Sequence, residues 1–453
     1  MPSYINGIDA SLITGLGQIG VGGGSPAPTP TVYPTGGLIA NSGAPGAGFN
    51  NSNGTIFGIN GRSGSMPSWY DRPIYGTGAS SASVWTKITG NASVIFCLSS
   101  SGELFSAGNN YTYSGRTSTG FVNGRLDKVI LVTPTASWTD ISAGQTFVVG
   151  INNGYIYGTG APNNGEFGSG SATYSNFGTW RQLSTNQNWI RVEAGQLHTC
   201  FMSGSGGSGS VWIAGSNSSG RTGMNTTSGT TNNRAEPFGM TGSIFTDMSP
   251  GTTTTYLVSN SAFYGTGQNS SYQMGNGSTV DKTSFGTAIS VAGFSVSKVF
   301  AGVNFGKVIT TESFVCHTGT QAYTRGDGST ANITTWTRLH TASAEFSASW
   351  SGFHWQKFVG NNYGIIGINR NRPYYLAPGI SNYQAVFPVE NLPYQSASYK
   401  AGAGNNTTWQ PFFSGSYVNN LNITASHNTI ASTTYASDTN NSLLALWMYL
   451  TPH

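Results

Sequence analysis

Charge is what this 453-residue sequence has least of: 8% of its residues are Asp, Glu, Lys or Arg, against about 25% in ordinary soluble domains. Its 19 basic and 15 acidic residues leave a formal net charge of +4. They include no basic run of the kind that tracks phosphates, so nucleic-acid binding is not expected. Long hydrophobic runs are also missing. No stretch approaches the roughly 18 apolar residues of a membrane-spanning helix, so no span is expected. The opening "MPSYINGIDASLITGLGQIGVGGG" lacks the positive leader and apolar core of a secretory signal. Cysteine is scarce: Cys97, Cys200 and Cys316 stand far apart in apolar stretches, without CxxC or CxxH spacing, and read as buried thiols.

The motifs of catalysis are absent as well. A catalytic site needs titratable groups that converge, and 15 carboxylates and 6 histidines are thinly spread here. No paired-histidine metal spacing, calcium loop or GxSxG elbow occurs. The expectation is a protein that is not an enzyme and uses no cofactor and no metal.

What the chain does have is 64 glycines, 12% aromatic residues and many Ser, Thr and Asn. The aromatics argue against disorder. A surface of hydroxyls, amides and glycine suits a protein held permanently among neighbours. The glycines and aromatics also recur in order. "WTKITG" at Trp85, "WTDISAG" at Trp138, "WIRVEAG" at Trp189, "FTDMSPG" at Phe245 and "VSKVFAG" at Val296 each lead into an apolar run, a tight turn and a second strand. Weaker copies, "HWQKFVG" and "SASYKAG", begin at His354 and Ser396. Their glycines, Gly90, Gly144, Gly195, Gly251, Gly302, Gly360 and Gly402, are separated by 54, 51, 56, 51, 58 and 42 residues. Repeats of roughly 40–50 residues built from short strands predict the blades of a β-propeller. Upstream, "GTIFGINGRSG" is a second half without a first, and "SASYKAG" is a first half without a second. Ring closure by pairing of residues 55–64 with 396–402 is therefore expected. The prediction is an all-β, seven-bladed β-propeller over residues 51–402. It is preceded by an N-terminal extended anchor and Gly/Pro-rich linker (1–50) and followed by a C-terminal β extension (403–453).

"VEAGQLHTCFM" and the following "SVWIAGSNSSGRTG" resemble the regulator of chromosome condensation repeat. That resemblance implies the propeller fold and makes the repeat glycines and His198 structural positions. Only the third repeat keeps the histidine, so the family's nucleotide-exchange activity is not carried over.

Residues 1–50 contain no Lys or Arg and one acid, Asp9. Tyr4, Ile5, Leu12, Ile13 and Ile19 are read as an anchor that docks into another virion protein. Three Tyr-rich segments between repeats are read as candidate receptor-contact loops. They contribute Tyr111, Tyr113 and Arg116, then Tyr272, then Arg372 and Tyr374. Arg325 and Asp327, in an Arg-Gly-Asp tripeptide, are added to them. Uncharged head, spacer, closed β-domain and uncharged end resemble a virus appendage subunit. The expected function is that of a structural or adhesion protein on the exterior of a tailed-bacteriophage virion: tail fibre, collar or capsid decoration. It would form a homo-oligomer or lattice and bind a host-surface glycan or receptor, or neighbouring subunits. The alternatives are a soluble protein-binding propeller, acting as a regulator or enzyme inhibitor, and a glycan-binding lectin.

Overall fold

The computed structural model describes residues 137–170, 178–320 and 331–339 in full, with positions 87, 89, 96, 98, 101–104 and 106. Elsewhere it gives only the backbone of the strands named below. The chain divides into two compact units, Met1–Tyr33 and Pro34–His453. In the first, Tyr4–Ile5 pairs with Ile8–Asp9; Leu12, Ile13 and Ile19 lie outside the described residues.

In the second unit the strands assemble into antiparallel sheets that follow one another along the chain. The first sheet orders Trp85–Gly90, Val94–Ser99, Leu104–Gly108 and Val122–Lys128. The second orders Trp138–Ala143, Phe147–Asn152, Tyr155–Gly160 and Phe177–Gln182. The third orders Trp189–Ala194, His198–Ser205, Ser208–Ser216 and Thr230–Ala235. The fourth has Phe245–Pro250, Thr254–Ser259 and Ala262–Gly267, with bridges to Lys282 and Ile289 in place of a fourth strand. The fifth orders Val296–Ala301, Phe305–Thr310, Val315–Gly319 and Ile333–Arg338. The sixth orders Trp355–Asn361, Gly364–Asn369, Arg372–Ala377 and Asn406–Pro411. The seventh joins Leu421–Ala425, Ala445–Leu450 and Thr55–Asn60.

The first strand of each sheet packs on the first strand of the next. Leu421–Ala425 returns to pack on Trp85–Gly90. The strands therefore close into a ring, a β-propeller, and this circuit is consistent with seven blades. Each sheet is left with short edges only.

Thr55–Asn60 does complete the closing sheet, but its partner is Ala445–Leu450, paired from Leu450↔Thr55 to Ala445↔Asn60. The expected partner, 396–402, supplies only Tyr399–Lys400, paired with Gln384–Ala385. The middle place of a closing sheet needs a strand apolar along its length. "ALWMYL" meets that need, and a two-residue strand does not. The pairing thus runs past residue 402, and Asn406–Pro411 and the closing strands come from the segment read as an extension. It also starts before 51: Gly36–Ile39 pairs with Ala47–Asn50 and packs on Thr55–Asn60.

The hydrophobic core is divided among the seams. Among the described residues, four clusters each straddle two sheets. Phe96, Leu98 and Leu104 meet Trp138 and Trp180 at the first seam, and Phe147 and Phe167 meet Trp189 and Phe201 at the second. Met202 and Ile213 meet Phe245 and Phe285 at the third, and Tyr256 and Phe263 meet Val296 and Trp336 at the fourth. Large aromatics meet edge-on in these clusters, such as Trp138 with Tyr157 at 5.7 Å and Phe263 with Trp336 at 5.0 Å.

The repeat glycines have a steric cause. A Cβ on Gly144 would lie 2.2 Å from the Phe147 ring, and one on Gly302 would lie 2.4 Å from Phe305. On Gly195 it would meet the backbone oxygen of Gly251 and the His198 ring, both at 2.7 Å. The first side chain of the second strand folds back over its own glycine. His198 therefore occupies the place held by Phe147 and Phe305. Gly251 is crowded by the next sheet instead, with the Ala301 Cβ 2.9 Å away. Gly90 and Gly360 end or near the end of first strands; Gly402 lies outside the described residues.

Candidate functional site

Near the ring axis, the third residue of the first strand carries a charge in each of the first five sheets, and the sign alternates through Lys87, Asp140, Arg191, Asp247 and Lys298. These residues form one collar. Lys87 Nζ lies 2.6 Å from Asp140 and 3.6 Å from Glu193. Arg191 reaches Asp247 at 2.7 Å and Glu193 at 3.3 Å. Lys298 lies 3.9 Å from Asp247. Burial works against the charge on Lys87, but Asp140 and Glu193 outweigh it and raise its pKa. Burial likewise opposes the Arg191 charge, and Asp247 and Glu193 more than offset it, so its pKa is raised too.

The carboxylates do more than pair with cations. The second oxygen of Asp140 accepts the backbone N–H of Val192 at 2.7 Å, and that of Asp247 accepts Val299 N–H at 2.8 Å. Two residues further on, hydroxyls repeat the device. Thr89, Ser142 and Ser249 accept the N–H groups of Ala143, Ala194 and Ala301 at 3.0, 2.9 and 3.0 Å. In the third sheet this place is Glu193, and the facing residue is Pro250, which has no N–H to give. Glu193 is thereby released to pair with Lys87 and Arg191. The collar stitches adjacent first strands that share no β-ladder.

A second inter-sheet contact comes from the loop after each third strand. Arg221 donates to Thr252 O at 2.7 Å and Gln273 donates to Val303 O at 3.2 Å; each acceptor follows a repeat glycine. Burial lowers the Arg221 pKa to about 10. Glu166 holds the equivalent place in the second sheet, fully buried, accepting Asn164 N at 2.7 Å and Asn164 Nδ2 at 2.8 Å. Burial pushes its pKa up. A carboxyl whose folded pKa is raised contributes most below its unfolded pKa and loses that contribution as pH rises through the folded value. Glu166→Gln is therefore expected to stabilise the protein by about 1 kcal/mol at pH 7. The glutamine would accept Asn164 N as Gln273 accepts Ser271 N. The gain should shrink toward pH 4. Urea unfolding at both pH values checks this, and a loss of stability at pH 7 contradicts it.

These groups do not make a catalytic centre. His198 Nε2 lies 2.7 Å from Thr255 Oγ1, which itself donates to Arg221 O at 2.7 Å. The imidazole therefore carries its proton on Nε2 and is a neutral donor. Burial, with a smaller push from Arg221, holds its pKa well below the ordinary value. Cys200 and Cys316 are buried free thiols; burial raises both, Cys316 to about 12. Among the described residues, no group of three or more His, Cys, Asp or Glu is placed to hold a metal, and no helix is long and apolar enough to cross a membrane.

Of the candidate contact residues, Tyr272 is half-buried at positive φ (58°), and its carbonyl accepts from Thr318 Oγ1 at 2.7 Å. Tyr111, Tyr113, Arg116, Arg325 and Asp327 lie outside the described residues. Arg372 and Tyr374 are not in a loop. Arg372–Ala377 is the third strand of the sixth sheet, with Arg372 opposite Asn369 and Tyr374 opposite Gly367. The run "YYL" is strand-forming and overrides the loop reading.

The described surface also carries a cleft that the sequence did not reveal. It opens between the second and third sheets, has a volume of about 310 Å³, and is lined by Trp189, Trp212, Arg234, Asn233, Asn186 and Thr185, with Ser184 and Gly168. Arg234 is fixed in its wall. Nη1 donates to Phe167 O at 2.8 Å and Nη2 to Leu183 O at 3.0 Å, and the guanidinium lies over Trp189 at 5.4 Å and Phe201 at 5.5 Å. Trp212 is held edge-on to Trp189 at 6.4 Å and donates to Ser203 Oγ at 3.2 Å.

Ring, seams and repeat define a β-propeller, and its solved relatives are propellers of the RCC1 type. Human WBSCR16 matches with a TM-score of 0.63 at 11% identity, over 88% of this chain and 98% of that one. Prp20p of Saccharomyces cerevisiae matches with a TM-score of 0.56 at 11% identity, over 92% and 94%. Yeast RCC1 (Prp20), solved with Kap60, gives 0.55 at 12% identity, over 82% and 81%. The chain therefore has the RCC1-like propeller fold. No protein-family model and no curated protein matches the sequence.

Proposed function

We propose that this chain acts by binding rather than by catalysis, as a structural and adhesion subunit on the exterior of a tailed-bacteriophage virion. Its N-terminal segment would be fixed to other virion proteins. One observation carries the reading: among the described residues, most charged side chains of this charge-poor chain are engaged within the fold, with Arg181, Lys298 and Glu312 left exposed. Lys87, Asp140, Arg191, Glu193 and Asp247 stitch the hub, Arg221 and Arg234 are bound to main-chain carbonyls, and Glu166 is buried. Among the described residues the exposed positions are mostly hydroxyls, amides and glycines, which suits lasting contact with neighbours. Purified protein should form a homo-oligomer or lattice by light scattering, and antibody against it should label phage particles. A strict monomer absent from particles would overturn the proposal.

A second reading, a soluble protein-binding propeller, is favoured by the neighbours themselves. Yeast RCC1 (Prp20) is solved bound to Kap60, and Prp20p is described with binding properties to Gsp1p and histones. A pull-down that yields one stoichiometric soluble partner would select it.

A further inference from the structure

The cleft has a cause that the repeat makes visible. The third-strand glycines Gly160, Gly215, Gly267 and Gly319 pair with Phe177, Thr231, Lys282 and Ile333. Three residues beyond those partners stand Trp180, Arg234, Phe285 and Trp336. Each reaches back across a seam. Trp180 packs on Phe96 of the preceding sheet at 5.8 Å. Phe285 and Trp336 press on loop glycines of the preceding sheet: a Cβ on Gly223 would lie 2.4 Å from the Phe285 ring, and one on Gly275 would lie 2.6 Å from Trp336. Gly168 stands in the same relation to Arg234, whose Cγ would be 2.5 Å from such a Cβ. Three of these four seams are filled by a buried aromatic ring. Of the four, the seam between the second and third sheets alone has arginine there, and that seam holds the cleft.

We infer that this cleft is a binding site for one sugar ring of a glycan. The inference rests on the adhesion reading above and names its ligand class. The volume, about 310 Å³, lies at the lower end of the roughly 300–1,000 Å³ of small-molecule sites and suits one ring. The half-buried Trp212 indole supplies an apolar surface for the C–H side of a pyranose. Asn186 and Asn233 each offer a donor and an acceptor, matching vicinal hydroxyls, which do both. No carboxylate lines the cleft, and its one cation, Arg234, is anchored on two carbonyls. A peptide would need a longer groove, and a nucleotide phosphate a cluster of cations.

The test uses the full chain, with methyl glycosides of glucose, galactose, mannose, N-acetylglucosamine and glucuronic acid as probes. Tryptophan fluorescence and saturation-transfer NMR are the readouts. At least one glycoside should bind; preference for the neutral sugars or for the glucuronide identifies the glycan type, and both support the site. Trp212→Ala and Asn186→Ala should each weaken binding by about tenfold or more; Asn186 is exposed, so its loss leaves the fold intact. Arg234→Trp should restore the aromatic seam, raising the melting midpoint by about 2 °C or more while abolishing binding. Failure of every glycoside to bind, or unchanged binding by Arg234→Trp, would overturn the inference. Particle or host-cell association that persists undiminished in Arg234→Trp removes the cleft but not the adhesion reading. Glycoside binding by a protein that joins no particle and no cell removes the adhesion reading but not the cleft.

Discussion

Asp247→Ala will lower the unfolding free energy by about 2 kcal/mol, because it leaves the part-buried Val299 N–H without its acceptor and takes from Arg191 its nearest carboxylate. The Asp247 side chain is 4% exposed. It accepts Arg191 Nη1 at 2.7 Å with one oxygen and Val299 N–H at 2.8 Å with the other. An ion pair between buried groups is often near neutral against an apolar replacement, but removing one partner costs more because the other charge loses its counter-ion; Arg191 retains Glu193 at 3.3 Å, which moderates the loss. Here the loss also removes one of the bonds that join the fourth sheet to the fifth, leaving Ser249 to Ala301 and Gln273 to Val303. Asp247→Asn keeps a carbonyl for Val299 and should lose less. Urea unfolding at pH 7 measures both variants. A loss below about 1 kcal/mol for the alanine would mean that the collar is ornamental to stability.

Mild acid should weaken the protein through His198. Its folded pKa is held well below the ordinary value of 6.5 by burial and by Arg221. For a base with a depressed folded pKa, the unfolded state binds the proton first. Stability from the neutral imidazole is therefore complete above about pH 6.5. It falls by about 1.4 kcal/mol per pH unit below that, until the folded imidazole protonates. One proton can contribute at most about 2 kcal/mol between pH 6.5 and pH 5. His198→Phe places there the residue that the second and fifth sheets already use, Phe147 and Phe305, each folded over its glycine. The difference between wild-type and variant stability profiles should show one proton's slope over this window. Parallel profiles would mean that His198 is protonated in the folded state.

What was legible in the sequence was legible because its cause is local. Gly144 and Phe147 lie three residues apart and touch each other, so the requirement for glycine recurs wherever that turn is built, and the repeat period follows. The inner-strand apolar runs follow from burial on both faces: Phe147–Asn152 and Thr254–Ser259 are buried along their whole length. The closing pair was not legible in the same way. Thr55–Asn60 and Ala445–Leu450 meet only because the ring brings distant segments together, and no short-range signal names that partner. The strand Arg372–Ala377 was missed because a Tyr-, Arg- and Pro-bearing segment has loop composition even when its neighbours hydrogen-bond it as a strand.

The cleft was hidden for a sharper reason. From the third-strand glycine to its partner the chain takes 17, 16, 15 and 14 residues in the second to fifth sheets. A comparison by sequence spacing therefore slips by one residue at each blade, and Trp180, Arg234, Phe285 and Trp336 never align. Strand pairing restores the register. By itself the sequence determined that one glycine-and-aromatic unit is copied around an all-β ring of low charge, because packing within each unit acts over a few residues. The tertiary structure alone decided which segments close that ring, how alternating charges stitch its hub, and where an arginine in place of an aromatic ring leaves a cleft. Those are contacts between units, separated by variable loops, and their geometry exists only once the sheets stand side by side.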